Sequence, residues 1–236
     1  MLVRTVPPSS TPPIDVGDVT LVSVTGVNVD AAQRALQQSM QGLRFARVLL
    51  ISSDPPSVSD PDIERIAIPA MTLAGYSRFI LHELHRHIDS AHVLVVQADG
   101  YVLNPGRWDP AWLGYDYVGA PWPAIAELDG RRVPLANRVG NGGFSLRSRR
   151  LLQLVAAEDS SHVGPVFASE DLFTCFVLYD KLVAAGMRFP TPQVAARFSI
   201  ETPGATFGQT LRTSFGFHGR HFQRRLTPWW KRLLQR

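Results

Sequence analysis

The chain has a single cysteine, no uninterrupted apolar run of membrane-spanning length, and no acidic side chain after Glu201. One thiol cannot close an internal disulfide, so a disulfide-scaffold protein is excluded. Cys175, inside Leu172-Phe173-Thr174-Cys175-Phe176, reads as a buried, inert thiol rather than a nucleophile. A reducing, cytoplasmic compartment is the expectation. A spanning helix needs roughly 18–20 apolar residues, and a signal peptide needs a basic region followed by an apolar stretch; the sequence has neither, so the chain is expected to be neither secreted nor integral to a membrane. Also missing are a Gly-x-Gly-x-x-Gly turn after the first strand and a phosphate loop ending in Gly-Lys-Ser/Thr, which removes the usual support for nicotinamide binding and nucleotide hydrolysis. His82-Glu83-Leu84-His85-Arg86-His87 has the wrong histidine spacing for a His-Glu-x-x-His zinc site and reads as a solvated helix face.

What is present suits one folded α/β body. With 236 residues and 45% hydrophobic side chains, the chain can bury a sizeable core. All 20 acids lie at or before Glu201, whereas seven of the 24 basic residues follow it, so the net charge of +4 belongs to the C-terminal end. Pro7-Pro8-Ser9-Ser10-Thr11-Pro12-Pro13 cannot form a helix and offers little to bury, which predicts a flexible leader over 1–17. The body is expected over 18–220 as a single domain, followed by a basic tail over 221–236.

Val19 to Thr25 is rich in β-branched residues and stops at Gly26; Asp30 can cap a helix to about Met40, and Arg47 to Ser52 supplies a second strand. A short strand is expected over 64–69, and Tyr76, Phe79, Ile80, Leu84 and Ile88 recur at helical spacing before the apolar strand His92-Val93-Leu94-Val95-Val96. Strands alternating with helices predict a mostly parallel central sheet flanked by helices. From Tyr101 to Asn141, Pro, Gly, Trp and Tyr dominate, as in long binding loops; helices are expected over 147–157 and 169–185.

Four short stretches can carry chemistry. Gln97-Ala98-Asp99-Gly100 leaves the apolar strand where ligands bind in open α/β sheets, so Asp99 either holds a divalent cation against phosphate oxygens or merely starts a turn. Val139 to Ser148 is a glycine-rich loop running into a helix: Gly140, Gly142 and Gly143 permit close backbone approach, Asn141 can orient hydroxyls, and Ser145 with the first helical amides could meet an anion. The alternative is a plain glycine turn. In Ser169-Glu170-Asp171, Ser169 can cap a helix, and the acids either favour its dipole or serve an acceptor hydroxyl as hydrogen-bonding partner and proton acceptor. In Phe215-Gly216-Phe217-His218-Gly219, His218 stands outside any helical period and can ligate a cation of the Mn²⁺ class. Trp108, Trp112, Tyr115, Tyr117 and Trp122 either offer aromatic faces to a ligand or pack in the core.

These stretches, together with Tyr115-Asp116-Tyr117-Val118-Gly119-Ala120-Pro121-Trp122, resemble in order a domain family of unknown function that is itself similar to GT-A glycosyltransferases, over roughly residues 20–220. The resemblance implies a GT-A-like, Rossmann-type sheet that binds a nucleotide-sugar donor, with Mn²⁺ or Mg²⁺ at an Asp-x-Asp-type turn. Asp99 would match the second acid of that turn. Gln97 stands where the first is expected, which leaves weaker metal binding or metal independence open. His218, with Gly219 and Thr227-Pro228-Trp229, resembles the C-terminal region of glycogenin-like transferases, where the histidine completes the metal shell. Thr25, Gly26, Gln97, Asp99, Asn141, Gly142 and Gly143 would line the donor side, Tyr117 and Trp122 the acceptor side, and Glu170 or Asp171 would be the acceptor-side carboxylate.

The implied reaction moves a sugar to a saccharide or glycolipid acceptor. If the tail is helical, Leu226, Trp229, Trp230, Leu233 and Leu234 share one side opposite Lys231 and Arg232, which suits the inner face of an anionic membrane and lipopolysaccharide or other polysaccharide synthesis. The competing functions are a sugar-phosphate nucleotidyltransferase, although Gly26-Val27-Asn28 lacks the basic residue such a loop carries, and a non-enzymatic module binding membrane or nucleic acid through the tail. For the enzyme, no nucleic-acid partner is expected.

Overall fold

The β-branched segments pair as their composition predicts. In a computed structural model that describes residues 12–202 and 207–226, strands β1 (Val19–Thr25), β2 (Arg47–Ser52), β3 (Glu64–Ala67), β4 (His92–Val96), β5 (Tyr117–Val118) and β6 (Phe144–Ser148) form one sheet in the order β3-β2-β1-β4-β6-β5. The first four strands are mutually parallel, while β6 runs antiparallel to β4 and β5. The described helices are α1 (Val29–Met40), α2 (Leu73–His82), α3 (Arg149–Ala156), α4 (Glu170–Leu172), α5 (Tyr179–Ala184), α6 (Pro192–Phe198) and α7 (Arg220–Leu226). A wide π-turn, Phe173–Val177, joins α4 towards α5.

Both sheet faces are covered, which explains the nearly continuous apolar strands. Leu21, Leu50, Leu94 and Val96 face α1 through Ala32 and Leu36, and the same layer holds Trp112, Phe144, Phe198 and Phe215. Val22, Val24, Leu49, Ile51, Val93 and Val95 face Ile80 of α2, Leu84, Ile88 and Leu152 of α3. From β1 the chain steps outward to β2 and β3, then returns to place β4 on the other side of β1. That reversal opens a crevice beyond the carboxyl ends of β1 and β4, the general ligand position of such sheets.

Several boundaries differ from the sequence expectation. The body begins before Asp18: Ile14–Asp15 pairs in parallel with Leu43–Arg44, and Val16 is buried in the core. Residues 1–11 of the expected leader lie outside the described residues. Asp30 does not cap α1; the cap position is Asn28, in a left-handed conformation, and the Asp30 carboxylate instead accepts hydrogen bonds from the Ser57 amide and hydroxyl, each 2.7 Å. The glycine loop does not run into a helix. It enters β6, a central strand with every residue buried, and the helix starts only at Arg149 after its Ser148 cap. Residues 101–141 are also more ordered than loops: they supply β5, the hairpin Ile125–Leu128/Arg131–Pro134 and the pairing of Ala120–Pro121 with Val139–Gly140. The amphipathic tail proposed over 226–236 lies outside the described residues from 227 onward. Up to that point the segment packs on the body, with Phe222 buried against Ile200 and Phe217.

The last strand segment completes the crevice. Gly216–Phe217 pairs in parallel with Ser199–Ile200 and bridges to Val102, while the carbonyl of Phe215 accepts hydrogen bonds from the amides of Leu103 and Asn104. A Cβ on Gly216 would lie 2.2 Å from the Phe144 ring, so only glycine permits this crossing over the sheet. Phe215 anchors it among Trp108, Trp112, Phe144 and Phe198. Phe215→Ala is therefore expected to cost about 3–5 kcal/mol of unfolding free energy, measured by urea titration.

Candidate functional site

The crevice is a cleft of about 440 Å³ lined by the exit of β1, the start of α2, the turn after β4, and the segment from His218 to Arg220. Thr25 and Gly26 form one wall. The Thr25 hydroxyl accepts the Val27 amide at 3.1 Å and donates to the Val27 carbonyl, closing a tight turn into α1. A Cβ on Gly26 would sit 2.8 Å from the Met71 carbonyl oxygen, so glycine is required there by the close approach of Met71.

Opposite this wall, the amide and carbonyl of Gln97 exchange hydrogen bonds with Gly100, both 3.0 Å, which fixes the turn that presents Asp99. Asp99 is thus both a turn residue and a cleft residue. The Gly219 amide donates to the Asp99 carbonyl at 2.9 Å and the His218 amide to the Ile200 carbonyl at 3.0 Å, so the C-terminal segment brings His218 against that turn. The imidazole Nδ1 lies 3.0 Å from Glu201 Oε1, while Nε2 lies 3.2 Å from Gln97 Oε1 and 3.5 Å from Asp99 Oδ1. Gln97 donates its Nε2 to the Tyr76 hydroxyl at 2.7 Å.

Burial alone would push the His218 imidazole down, but interactions with Asp99 and Glu201 reverse this and raise it to about 9. His218 in turn holds the Asp99 carboxyl below the usual carboxylate range, against the opposing effect of burial. At 3.5 Å the His218–Asp99 contact is mainly electrostatic rather than a short charge-assisted hydrogen bond.

Asn141, Gly142 and Gly143 lie behind this group, buried, rather than as an open loop. A Cβ on Gly143 would be 2.1 Å from His218 Nε2, and one on Gly142 would be 1.6 Å from Glu170 Oε1. The two missing side chains are the space those two functional groups occupy. Asn141 holds the bend in a left-handed conformation, φ 83°, with its Oδ1 accepting from the Gly143 amide. Ser145, expected to meet an anion, is instead internal: it donates to the Gly142 carbonyl and accepts from Arg147 Nε.

Glu170 is paired with Arg147 at 2.7 Å, both side chains buried. Burial raises the Glu170 carboxyl to about 7 against the pull of Arg147. Arg147 also donates to the Gly142 carbonyl and lies over the Tyr117 ring. Asp171 is only partly buried, and its charge contributes to raising both Tyr76, a cleft residue, and Glu170. Ser169 occupies the cap position of α4, but its hydroxyl donates to the Val166 carbonyl instead of capping.

The structure therefore joins Thr25, Gly26, Gln97, Asp99 and His218 in one cleft and sets Asn141, Gly142, Gly143 and Glu170 behind it. It separates Tyr117 and Trp122 from any acceptor. Tyr117 is fully buried, its hydroxyl donating to the Asn141 carbonyl, and Trp122 packs where a Cβ on Gly140 would be 1.9 Å from its ring. Their aromatic faces are used by the core, the alternative the sequence had left open. Trp112 is likewise a core residue. Sequence reasoning missed Tyr76, Glu201 and Arg220. Tyr76 resembled a routine apolar helix position, Glu201 was noticed only as the last acid, and Arg220 was counted with the tail charge, although it lines the cleft and lowers Asp99.

Among the described residues, no group of three His, Cys, Asp or Glu side chains is arranged to hold a metal ion. The cation implied by the motif resemblance nevertheless fits the chemistry of Asp99 and His218. A carboxylate faces Nε2, while Nδ1 is engaged by Glu201, the outer carboxylate that metal-bound imidazoles commonly have. No described helix is long and apolar enough to cross a membrane.

The sequence profile of a family described as protein of unknown function (DUF5672) matches residues 63–218. Curated proteins give no match. Among solved structures, the chain is similar to the mannosyltransferase PcManGT from Pyrobaculum calidifontis, determined with GDP-Man and Mn²⁺, at TM-score 0.46 and 15% identity over 80% of this chain and 58% of that one. It is also similar to the bifunctional IspDF from Campylobacter jejuni, at TM-score 0.42 and 13% identity over 64% of this chain and 46% of that one. The chain thus spans about half the length of these solved proteins.

Two outcomes are expected from the electrostatics. Glu170→Gln leaves Arg147 buried without its counter-charge and should cost about 3–5 kcal/mol in chemical denaturation. For His218, the folded state binds its proton more tightly than the unfolded state does, so its contribution is fully present below pH 6.5 and is lost as pH rises through about 9. In EDTA, unfolding free energy measured across that window should fall more steeply for the natural protein than for His218→Gln, by at most about 1.4 kcal/mol per pH unit.

Proposed function

The chain belongs to the DUF5672 family, and from its site we propose that it is a glycosyltransferase, moving a sugar from a nucleotide-sugar donor to a saccharide or glycolipid acceptor with divalent-metal assistance. The observation that carries this reading is the meeting of the Gln97–Asp99 turn with His218, with Gln97 and His218 121 positions apart in sequence, inside the cleft at the sheet's topological switch point. An anionic diphosphate needs cationic or metal-binding groups at such a position, and a nucleoside needs the adjacent open wall. Thr25 and Gly26 would border the nucleoside portion, with Asp99, His218 and Arg220 towards the diphosphate.

When bound, a cation of the Mn²⁺ or Mg²⁺ class supplies Lewis-acid neutralisation of the charge that develops on the leaving diphosphate. Asp99 and His218 would hold it. Asp99 is suited to this because its lowered pKa keeps it ionised. His218 keeps its Nδ1 proton on Glu201 and must release any Nε2 proton before that nitrogen can ligate. Arg220, at the start of α7, adds positive charge at the same rim.

The two acids of α4 divide their duties in this reading. Glu170 is committed to Arg147, which favours a supporting role beneath the Gly142 backbone. Asp171, partly exposed, is the better candidate to accept the acceptor hydroxyl's proton as its oxygen attacks the anomeric carbon. A nucleotidyltransferase is disfavoured because the turn after β1 has no basic residue and its Gly26 is covered by Met71.

The test is a thermal-shift panel of UDP, GDP and their sugar conjugates with and without Mn²⁺. A ligand at 100 times its dissociation constant should stabilise by about 2.7 kcal/mol, and Asp99→Ala should abolish the shift. In turnover assays with the nucleotide so identified, Asp171→Asn should lower kcat about 10²-fold or more with donor affinity retained. Indifference of the natural protein to every nucleotide would refute the reading and favour a binding module.

A further inference from the structure

Tyr76 enters the cleft from α2 on a firmly fixed helix start. Thr72 Oγ1 accepts the Gly75 amide at 3.2 Å, the Thr72 carbonyl accepts the Tyr76 amide at 2.9 Å, and Ser77, Ile80 and Leu81 of the same helix are buried. The phenol oxygen accepts a hydrogen bond from Gln97 Nε2 at 2.7 Å. Gln97 is itself oriented by His218, whose Nε2 donates to the amide oxygen at 3.2 Å, and Glu201 holds the other ring nitrogen at 3.0 Å. Donation therefore runs from His218 through Gln97 to Tyr76, and each side chain sets the direction of the next.

The series ends in a proton with no taker. A phenol carries one proton and can accept as well as donate. Gln97 occupies an acceptor position, so the proton is turned to the other side of the oxygen, and among the described residues it meets no acceptor. Burial first, and then the charges of Glu170 and Asp171, hold the phenol above its usual range against the pull of Arg147. Tyr76 is thus a neutral, pre-aimed donor on the wall of the cleft.

We propose that Tyr76 determines donor specificity: its O–H donates to a hydroxyl oxygen of the sugar being transferred, so the site takes nucleotide sugars that keep this hydroxyl and discriminates against deoxy sugars that lack it. The inference rests on the glycosyltransferase reading. Gln97 ties Tyr76 to the Asp99 and His218 end of the cleft, assigned to the diphosphate, while α4, which carries Asp171, packs against α2. A sugar joined to that diphosphate and attacked by an oxygen that Asp171 deprotonates must lie between the two, beside the phenol. A phosphate is the poorer partner here, because the carboxylates of Glu170 and Asp171 act on the same hydroxyl and would repel it. A sugar hydroxyl is neutral and can accept from Tyr76 while donating elsewhere. An analogue without it strips the phenol of water and returns no partner, which weakens binding about tenfold or more.

The experiment is isothermal titration calorimetry of the full chain with Mn²⁺ present, using UDP, GDP, UDP-glucose, UDP-galactose, UDP-N-acetylglucosamine and GDP-mannose, and then the monodeoxy analogues of whichever conjugate binds. For the natural protein, one monodeoxy analogue should bind about tenfold or more weakly than its parent. Tyr76→Phe should weaken the parent conjugate by a similar factor, leave the bare nucleoside diphosphate within about twofold, and bind that analogue as well as the parent. Equal weakening of bare diphosphate and conjugate overturns the proposal, since it marks a phosphate contact or a merely structural role; so does a variant that still tells the analogue from the parent. If Tyr76→Phe fails to fold, the natural protein decides alone: indifference to every single deoxygenation overturns the proposal while leaving nucleotide binding intact. Binding of no nucleotide at all refutes the transferase reading itself, and the inference with it.

Discussion

Two consecutive residues without side chains, Gly142 and Gly143, set the arrangement of everything around the cleft. The Glu170 carboxylate occupies the space beside one, and the His218 imidazole the space beside the other. The backbone between them is held from below by Arg147, which donates to Glu170, Ser145 and the Gly142 carbonyl. Burying that guanidinium and carboxylate costs desolvation energy, which the ion pair offsets only when the remaining polar atoms are also satisfied. Here most of them are, so strand β6 can carry a charged pair through the middle of the molecule. Bulk at either glycine would displace the Glu170 carboxylate or the His218 imidazole rather than merely crowd the core.

The sheet then determines where this local arrangement can act. The reversal of strand order between β1 and β4 leaves a crevice whose walls come from Thr25 and Gly26 on one side and Gln97 and Asp99 on the other. Neither wall carries a positive charge. That deficit is met by the segment from Phe215 to Arg220, which crosses the sheet at Gly216 and is stitched to Val102 and Leu103. Arg220 arrives by this route, as does the imidazole whose protonation Asp99 and Glu201 favour. A basic C-terminal segment therefore contributes to the cleft as well as to the net charge of the chain.

Much of the parallel half was legible because its physics is local. Val19 to Thr25, Arg47 to Ser52 and His92 to Val96 are apolar on both faces, and both faces are covered. Strand β6 was not legible as a strand: Phe144 to Ser148 contains an arginine, and an arginine ordinarily marks a surface or a helix start. Only its pairing with Glu170, 23 positions later, makes it a core residue. The same limit applies to the aromatics, whose exposure depends on whether glycines such as Gly140 let them sink into the core. Asp99 and His218 stood out through their neighbours in sequence. Tyr76 and Glu201 had no such marker, because the place of each at the cleft comes from a polar partner it meets only in space.

The crossing of Phe215 to Phe217 also bears on synthesis. On a translating ribosome, β1 to β4 emerge early and can pair, but Glu201, His218 and Arg220 follow more than a hundred residues later, and with them the cleft's remaining wall. A nascent polypeptide halted at β6 would own the sheet and Asp99 without the imidazole. Assembly of the pocket thus becomes a late event of biogenesis, and an unfinished chain lacks the complete cleft.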